Sequence, residues 1–369
     1  MIVQFGTSRF LQAHVDLFAS EARDEGQAVP DILIVQTTGD AERARRLEAF
    51  ADPAGFPVIL RGLENGVPVE RTVRVRSVTG GMQAARDWDA LVATIRDRAT
   101  HIVSNTGDTG YRVTDADRAI RDDGVAPGSF VAILLAALHA RWRTGGDGPT
   151  MLPCELVSRN GEVLRAAAVD LARAQRRDPA FVVWLEERCR WVNTLVDRIV
   201  STPLEPAGAI AEPYALWAIE RQPGLDLPFT HRAVVLADDL EPFERLKLHI
   251  LNLGHSWLAA RWHRAGAAEG ATVRAALGDP DTRAALERVM AEEVVPGFAA
   301  RGMEAEARAY VASTIERFDN PFLDHRLADI HSHHAEKVAK RIGGFVRWVD
   351  GAGGDVPPMP ELRGMLSAG

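Results

Sequence analysis

The segment Ile2-Val3-Gln4-Phe5-Gly6-Thr7-Ser8-Arg9-Phe10 decides the fold. A short apolar run ends at a glycine. Phe10, Ala13, His14, Leu17 and Phe18 then share one face of a helix expected to reach Arg23. Strand, tight turn and helix are the opening unit of a dinucleotide-binding fold. The turn brings backbone N–H groups close to a pyrophosphate, and the helix N-terminus adds partial positive charge. The spacing departs from G-x-G-x-x-G, because Ser8 stands in the second glycine position and Leu11 in the third. Taken alone, the turn is equally compatible with a strand–turn–helix that binds nothing.

Working outward, Asp31–Gln36 is a second strand, followed by a charged helix from Asp40 to Phe50. The end of this strand commonly carries the Asp or Glu that binds the adenosine ribose. Here it reads Val35-Gln36-Thr37-Thr38, with Asp40 slightly beyond, so the selecting carboxylate is missing or displaced. Arg43, Arg45 and Arg46 follow; they suit a 2′-phosphate or a solvated helix face. NAD is the expected cofactor, and NADP stays open.

Strands are further expected at Thr72–Val78, His101–Ser104 and Thr150–Val157, and helices at Trp88–Arg96 and Ser129–Arg143. Strands interleaved with helices indicate a mostly parallel α/β sheet, Rossmann-like in its opening. A last strand is expected at Ala233–Ala237. Beyond about Glu241 only Ala-rich amphipathic helices appear: Glu244–Trp262, Thr272–Leu277, Thr282–Val294, Glu304–Arg317 and a segment around Ala335–Trp348. The expected division is a dinucleotide-binding domain, 1–240, and a mainly α-helical catalytic and substrate domain, 241–369. The Gly- and Pro-rich stretch Gly351–Gly369 is expected to be loosely ordered.

The chain has 369 residues and a formal net charge of −8, which disfavours a nucleic-acid surface. Cys154 and Cys189 read as reduced, buried thiols. The start has no basic leader, and the longest apolar run, Phe130 to Leu138, is far short of the ~20 residues that span a bilayer. These features place the protein in the cytoplasm with no membrane partner.

The segment from Glu244 to Ser256 carries the candidate chemistry. With about 100° per residue and Lys247 at zero, Glu244 lies near 60°, His255 near 80° and Asn252 near 140°. Leucines and isoleucines fill most of the remaining surface, so the helix is expected to be buried. A lysine there loses hydration and becomes a candidate general base. Asn252 could donate to an oxyanion, His255 could orient a substrate, and Glu244 could relay a proton. A core helix with one wet face is the alternative.

At these residues the sequence resembles the polyol-specific long-chain dehydrogenases, the mannitol dehydrogenase family. Lys247, Asn252 and His255 match the family's Lys, four residues, Asn, two residues, His pattern, with Glu244 at its acidic position. Gly6 to His14, Ser104 to Tyr111, Asn193 to Ile199 and Arg317 to Phe322 resemble four further family motifs in order. The resemblance implies a metal-independent secondary alcohol–ketone oxidoreductase acting on an open-chain sugar derivative. It implies Lys247 as base, and Asn105 and Thr106 on the cofactor-side loop. Leu152-Pro153-Cys154-Glu155-Leu156 resembles the tagaturonate reductase (altronate oxidoreductase) branch. It lacks, at Leu156, the Asn that mannitol dehydrogenases place in the oxyanion pocket.

A uronate-type substrate carries a carboxylate, and Arg317 is its expected partner, since guanidinium matches carboxylate bidentately; an ion pair within the protein is the alternative. Asn160, Asn193 and His325 complete the expected substrate residues. Altronate/tagaturonate or mannonate/fructuronate chemistry is expected first, and a neutral polyol such as mannitol or arabinitol second. A non-catalytic dinucleotide-binding redox sensor is the reading of a different class. Asp324, His325, Asp329, His331, His333 and His334 form a late His/Asp cluster without a defined metal spacing, and no metal is expected. Lys337, Lys340 and Arg341 suit either an anionic substrate or a solvated helix face.

Overall fold

The computed structural model describes residues 1–107, 109–120, 124–266, 270–354 and 356–367, with residues 41–44 described in their backbone only. They form two compact units. The first comprises Met1–Leu60, Arg71–Ala211 and Ala215–Leu240; the second comprises Arg61–Glu70, Glu212–Tyr214 and Glu241–Gly369.

In the first unit, Ile2–Phe5 is buried along its whole length. A strand buried on both faces belongs inside a parallel sheet covered by helices. It pairs in parallel with Ile32–Gln36 on one side and His101–Ser104 on the other. Val78–Gln83, Thr150–Pro153 and Arg190–Trp191 extend the sheet, and every pairing is parallel. Ranked by their own chain order, the six strands run 3-2-1-4-5-6. The order reverses between Ile2–Phe5 and His101–Ser104. A crevice therefore opens at their C-terminal ends, where doubly wound folds bind nucleotides.

The helix expected from Phe10 to Arg23 is two helices, Arg9–Gln12 and Val15–Asp24. Tertiary contacts make the break. Arg198 donates to the carbonyl of Ala13 (2.5 Å), and the buried His14 places its Nε2 3.0 Å from the carbonyl of Leu216. The Arg198 guanidinium thereby satisfies a carbonyl at the break in the helical ladder.

Strands Phe56–Glu64, Thr194–Asp197, Val200–Pro203, Ala209–Ala211 and Leu216–Glu220, and helices Asn160–Ala174 and Pro179–Glu187, were not anticipated from the sequence. The span expected as one strand, Thr72–Val78, divides between Val67–Val75 and Val78–Gln83.

The second unit is built from helices around Trp257, Leu286, Phe298, Phe345 and Leu362, all fully buried. Among its described residues, three helices are interrupted by π-turns, at Lys247–Leu251, Met290–Val294 and Ala339–Gly343. Part of the stretch expected to be loosely ordered is helical. Pro360–Ser367 is a helix whose Leu362 and Met365 are buried. The Glu293 carboxylate accepts from the backbone N–H groups of Glu361 (2.9 Å) and Leu362 (3.0 Å), capping that helix with a side chain distant in sequence.

Candidate active site

The first unit holds a cavity of about 360 Å³ at the carboxyl ends of its central strands. Gly6, Thr7 and Ser8 form one wall, Gln36 and Thr37 a second, and Asn105 and Thr106 a third. Gly6 has φ +113°, and a Cβ there would sit 2.4 Å from the carbonyl oxygen of Asn105, so only glycine lets the two strand ends approach. Two expected cofactor residues face elsewhere. Arg9 turns to Glu205 (2.5 Å) and to the carbonyls of Pro206 and Gly208, and Phe10 stacks on His14. Because the helix after the turn is only four residues long, the cavity depends on backbone N–H groups and side chains more than on a long helix dipole. Thr38, Arg46 and Gly107 also line it. Arg45 is exposed, and the side chain of Arg43 lies outside the described residues.

Glu155 holds the third wall. Its buried carboxylate accepts from Ser104 Oγ (2.9 Å), Thr106 N and Oγ1 (3.0 Å each) and Tyr111 Oη (2.7 Å). Asn105 donates to the carbonyl of Cys154 (2.8 Å). Within the loop motif, Asp108 lies outside the described residues. Burial and the neighbouring carboxylate push the Tyr111 phenol far above its ordinary range, so it stays a donor. Leu156, by contrast, is 71% exposed.

In the second unit, Lys247 and Asn252 bracket a π-turn, and the Asn252 N–H bonds the carbonyl of Lys247. The extra residue in that turn closes the angle between these side chains below the α-helical value. Lys247 and Asn252 are half-buried rather than enclosed, and Glu244 sits half-buried in the preceding turn. His255 is buried, between the rings of Phe318 (4.5 Å) and His325 (4.7 Å). Its Nε2 and the Nδ1 of His325 are buried without a hydrogen-bond partner. Burial holds both imidazoles below their usual pKa, and the charges of Arg317 and Arg341 add to this at His255. Two neutral rings with unspent nitrogens are what a hydroxyl-rich ligand can bind.

Three expected substrate residues are committed elsewhere. Arg317 is buried in a bidentate ion pair with Glu212 (3.0 and 2.8 Å) and lies 4.3 Å from the centroid of Tyr214. Asn160 donates to the carbonyls of Pro153, Glu155 and Thr194 and accepts from Thr194 N, which spends both of its N–H donors. Asn193 accepts from Glu162 N and donates to Glu162 and Glu220. Both asparagines pin strand ends to the helix at Asn160.

Arg341 is the cation the sequence undervalued. Its guanidinium donates to the carbonyl of Asn252 (3.3 Å) and to Ser256 Oγ (3.0 Å), and among the described residues it has no carboxylate partner. Lys337 closes a turn on the carbonyl of Ile330 (2.8 Å), and Lys340 is exposed. His331 stacks between His263 and His334 at 4.3 Å from each, and His333 is exposed. Among the described residues no group of three or more His, Cys, Asp or Glu is arranged to hold a metal ion.

The mannitol dehydrogenase Rossmann domain matches residues 1–227, and the mannitol dehydrogenase C-terminal domain matches residues 239–359. The chain belongs to the mannitol dehydrogenase family. It is accordingly an oxidoreductase acting on CH–OH groups. Among curated relatives, the altronate oxidoreductase of Halalkalibacterium halodurans is 29% identical over 92% of this chain and 69% of its own length. That of Bacillus subtilis is 27% identical over 92% of this chain and 73% of its own. A substrate-free D-sorbitol dehydrogenase superposes with a TM-score of 0.78 at 23% identity, covering 94% of this chain and 75% of that one. Pseudomonas fluorescens mannitol 2-dehydrogenase, solved with NAD and D-mannitol, gives 0.72 at 18% identity, covering 99% and 84%. These last two show the shared fold of this family. Among the described residues no helix is long and apolar enough to cross a membrane, and both cysteines are free and buried.

Proposed function

We propose that the chain is a cytoplasmic, metal-independent, NAD(H)-coupled enzyme that interconverts a secondary alcohol and a ketone on an open-chain aldonate, of the altronate/tagaturonate or mannonate/fructuronate type. The reading is carried by the π-turned helix, which presents Lys247, Asn252 and the unspent Nε2 of His255 on the element that also anchors Arg341. The curated altronate oxidoreductases support the substrate class.

The cavity beside Gly6 fits a dinucleotide, with a glycine approach, hydroxyl and amide walls and the orphaned Oε1 of Gln36. Bound there, the nicotinamide would take up or supply the hydride. The protein's residues do the rest. Lys247 accepts the hydroxyl proton and Glu244 passes it to solvent. Asn252 donates to the developing oxyanion. His255 and His325 orient hydroxyls through their open nitrogens, and Arg341 takes the carboxylate role expected of Arg317.

Absorbance at 340 nm with a panel of aldonates and neutral polyols tests this. Aldonates should turn over fastest, and Lys247→Ala should lower kcat by about 10²–10⁴-fold with dinucleotide affinity retained. Arg341→Gln should raise KM for aldonates much more than for polyols. Wild-type turnover in Lys247→Ala defeats the base assignment. Faster turnover of mannitol or arabinitol selects the neutral-polyol reading, and a silent panel with tight dinucleotide binding selects the sensor.

A further inference from the structure

Where a carboxylate would select the unphosphorylated ribose, the second strand ends instead in Gln36. Its Nε2 is spent on the carbonyls of Thr38 and Asp40 (2.7 Å each), so its two N–H donors are already engaged within the protein. The cavity beside it is lined by the hydroxyl residues Thr37 and Thr38 and by Arg46, and among the described residues no Asp or Glu lines it. Arg46 is partly enclosed, with 23% of its side chain exposed, and its Nε is buried without a partner. Among the described residues its carboxylate contact is Glu205, 4.0 Å away and 68% exposed, and that carboxylate is engaged by Arg9 at 2.5 Å. An exposed contact of that length binds weakly and is screened by salt. Two guanidinium groups thus share one exposed carboxylate. Burial and the charge of Arg46 both lower the pKa of Arg9, as expected of two cations that sense each other.

We propose that this site accepts a 2′-phosphorylated dinucleotide, NADP(H), alongside NAD(H), with Arg46 and the Thr37–Thr38 hydroxyls receiving the phosphate. The elements of discrimination are both present. At the strand end Gln36 stands where a carboxylate would reject a 2′-phosphate, and a guanidinium suited to phosphate oxygens lines the same cavity. The inference rests on the cavity being the dinucleotide site and does not depend on which sugar derivative is the substrate.

The test is equilibrium binding to the intact protein. Affinities for NADH and NADPH are measured by nucleotide fluorescence, and those for ADP and adenosine 2′,5′-bisphosphate by competition. The expected result is an NADPH affinity within threefold of that for NADH, with a steeper loss of NADPH binding as salt rises. Arg46→Gln should lower the NADPH-to-NADH affinity ratio at least tenfold, and Arg46→Lys should lower it less. Gln36→Asp should shift the ratio toward NADH by a similar factor. NADPH binding more than a hundredfold weaker than NADH, or an Arg46→Gln variant that weakens both equally, overturns the proposal. Failure of ADP itself to bind overturns the dinucleotide reading beneath it.

Discussion

Glu155 is a neighbour of the cavity beside Gly6 and works through other residues. It is a four-fold acceptor, and its donors, Ser104, Thr106 and Tyr111, define the loop that forms one wall. Glu155→Gln keeps the shape but turns one acceptor oxygen into a donor facing hydroxyl donors. An unmet group in such a site costs about 1–3 kcal/mol. The variant should lower the melting temperature by a few degrees and weaken dinucleotide binding about tenfold, as thermal unfolding and fluorescence titration would show. Asp16 poses a different problem. It is fully buried, among the described residues its one side-chain partner is Gln4 (3.2 Å), and burial raises its pKa from 3.8 to about 8. The folded state therefore binds a proton that the unfolded state releases. That contribution is complete below about pH 4 and drains away as pH rises toward 8. Asp16→Asn should melt above the wild type at pH 8, with the gap closing toward pH 4. A gap independent of pH would show that Asp16 does not titrate in this range.

At the scale of the element, the helix carrying Lys247 gains its geometry from the π-turn. His249 lies inside that turn. Its ring is held neutral, with the pKa lowered to about 4 by burial, and its Nδ1–H donates to the carbonyl of Arg341 (2.8 Å). The side chain of Arg341 returns to Asn252 and Ser256 one turn further on. Two π-turns, Lys247–Leu251 and Ala339–Gly343, are thus fastened together at three points, and the extra residue in the first sets the angle between Lys247 and Asn252. Deleting Leu248 would restore an unbroken α-helix. Circular dichroism should then show the helix content intact, while kcat falls at least a hundredfold. Retained turnover would mean that the bulge is incidental to the chemistry.

For the molecule as a whole, each unit closes its own core, and the second does so with its last helix. Met359, Leu362 and Met365 are buried there, and Glu361 accepts from Trp257 Nε1 (2.7 Å). Removing residues 360–369 exposes that core. Losing buried side chains of this size costs roughly 2–5 kcal/mol each. The truncated protein should melt well below the full chain by calorimetry, and an unchanged midpoint would show the tail to be dispensable.

The sequence by itself determined the parallel sheet and the motifs. Short apolar-rich strands, a glycine at the first strand end and the Lys247–Asn252–His255 spacing are local patterns, legible because period and residue type are properties of a short segment. Seven of the nine expected cofactor residues line the cavity for that reason. The tertiary structure alone decided what depends on distant partners. Arg198 breaks the first helix, and a π-turn re-aims Lys247. Glu212, far away in the chain, neutralises Arg317, while Arg341 is left without a described carboxylate. A charged side chain carries no mark in one sequence of whether its counter-ion comes from the protein or is left for a ligand. Only the fold brings the candidates within a few ångströms, where Coulomb and hydrogen-bond terms become large enough to choose.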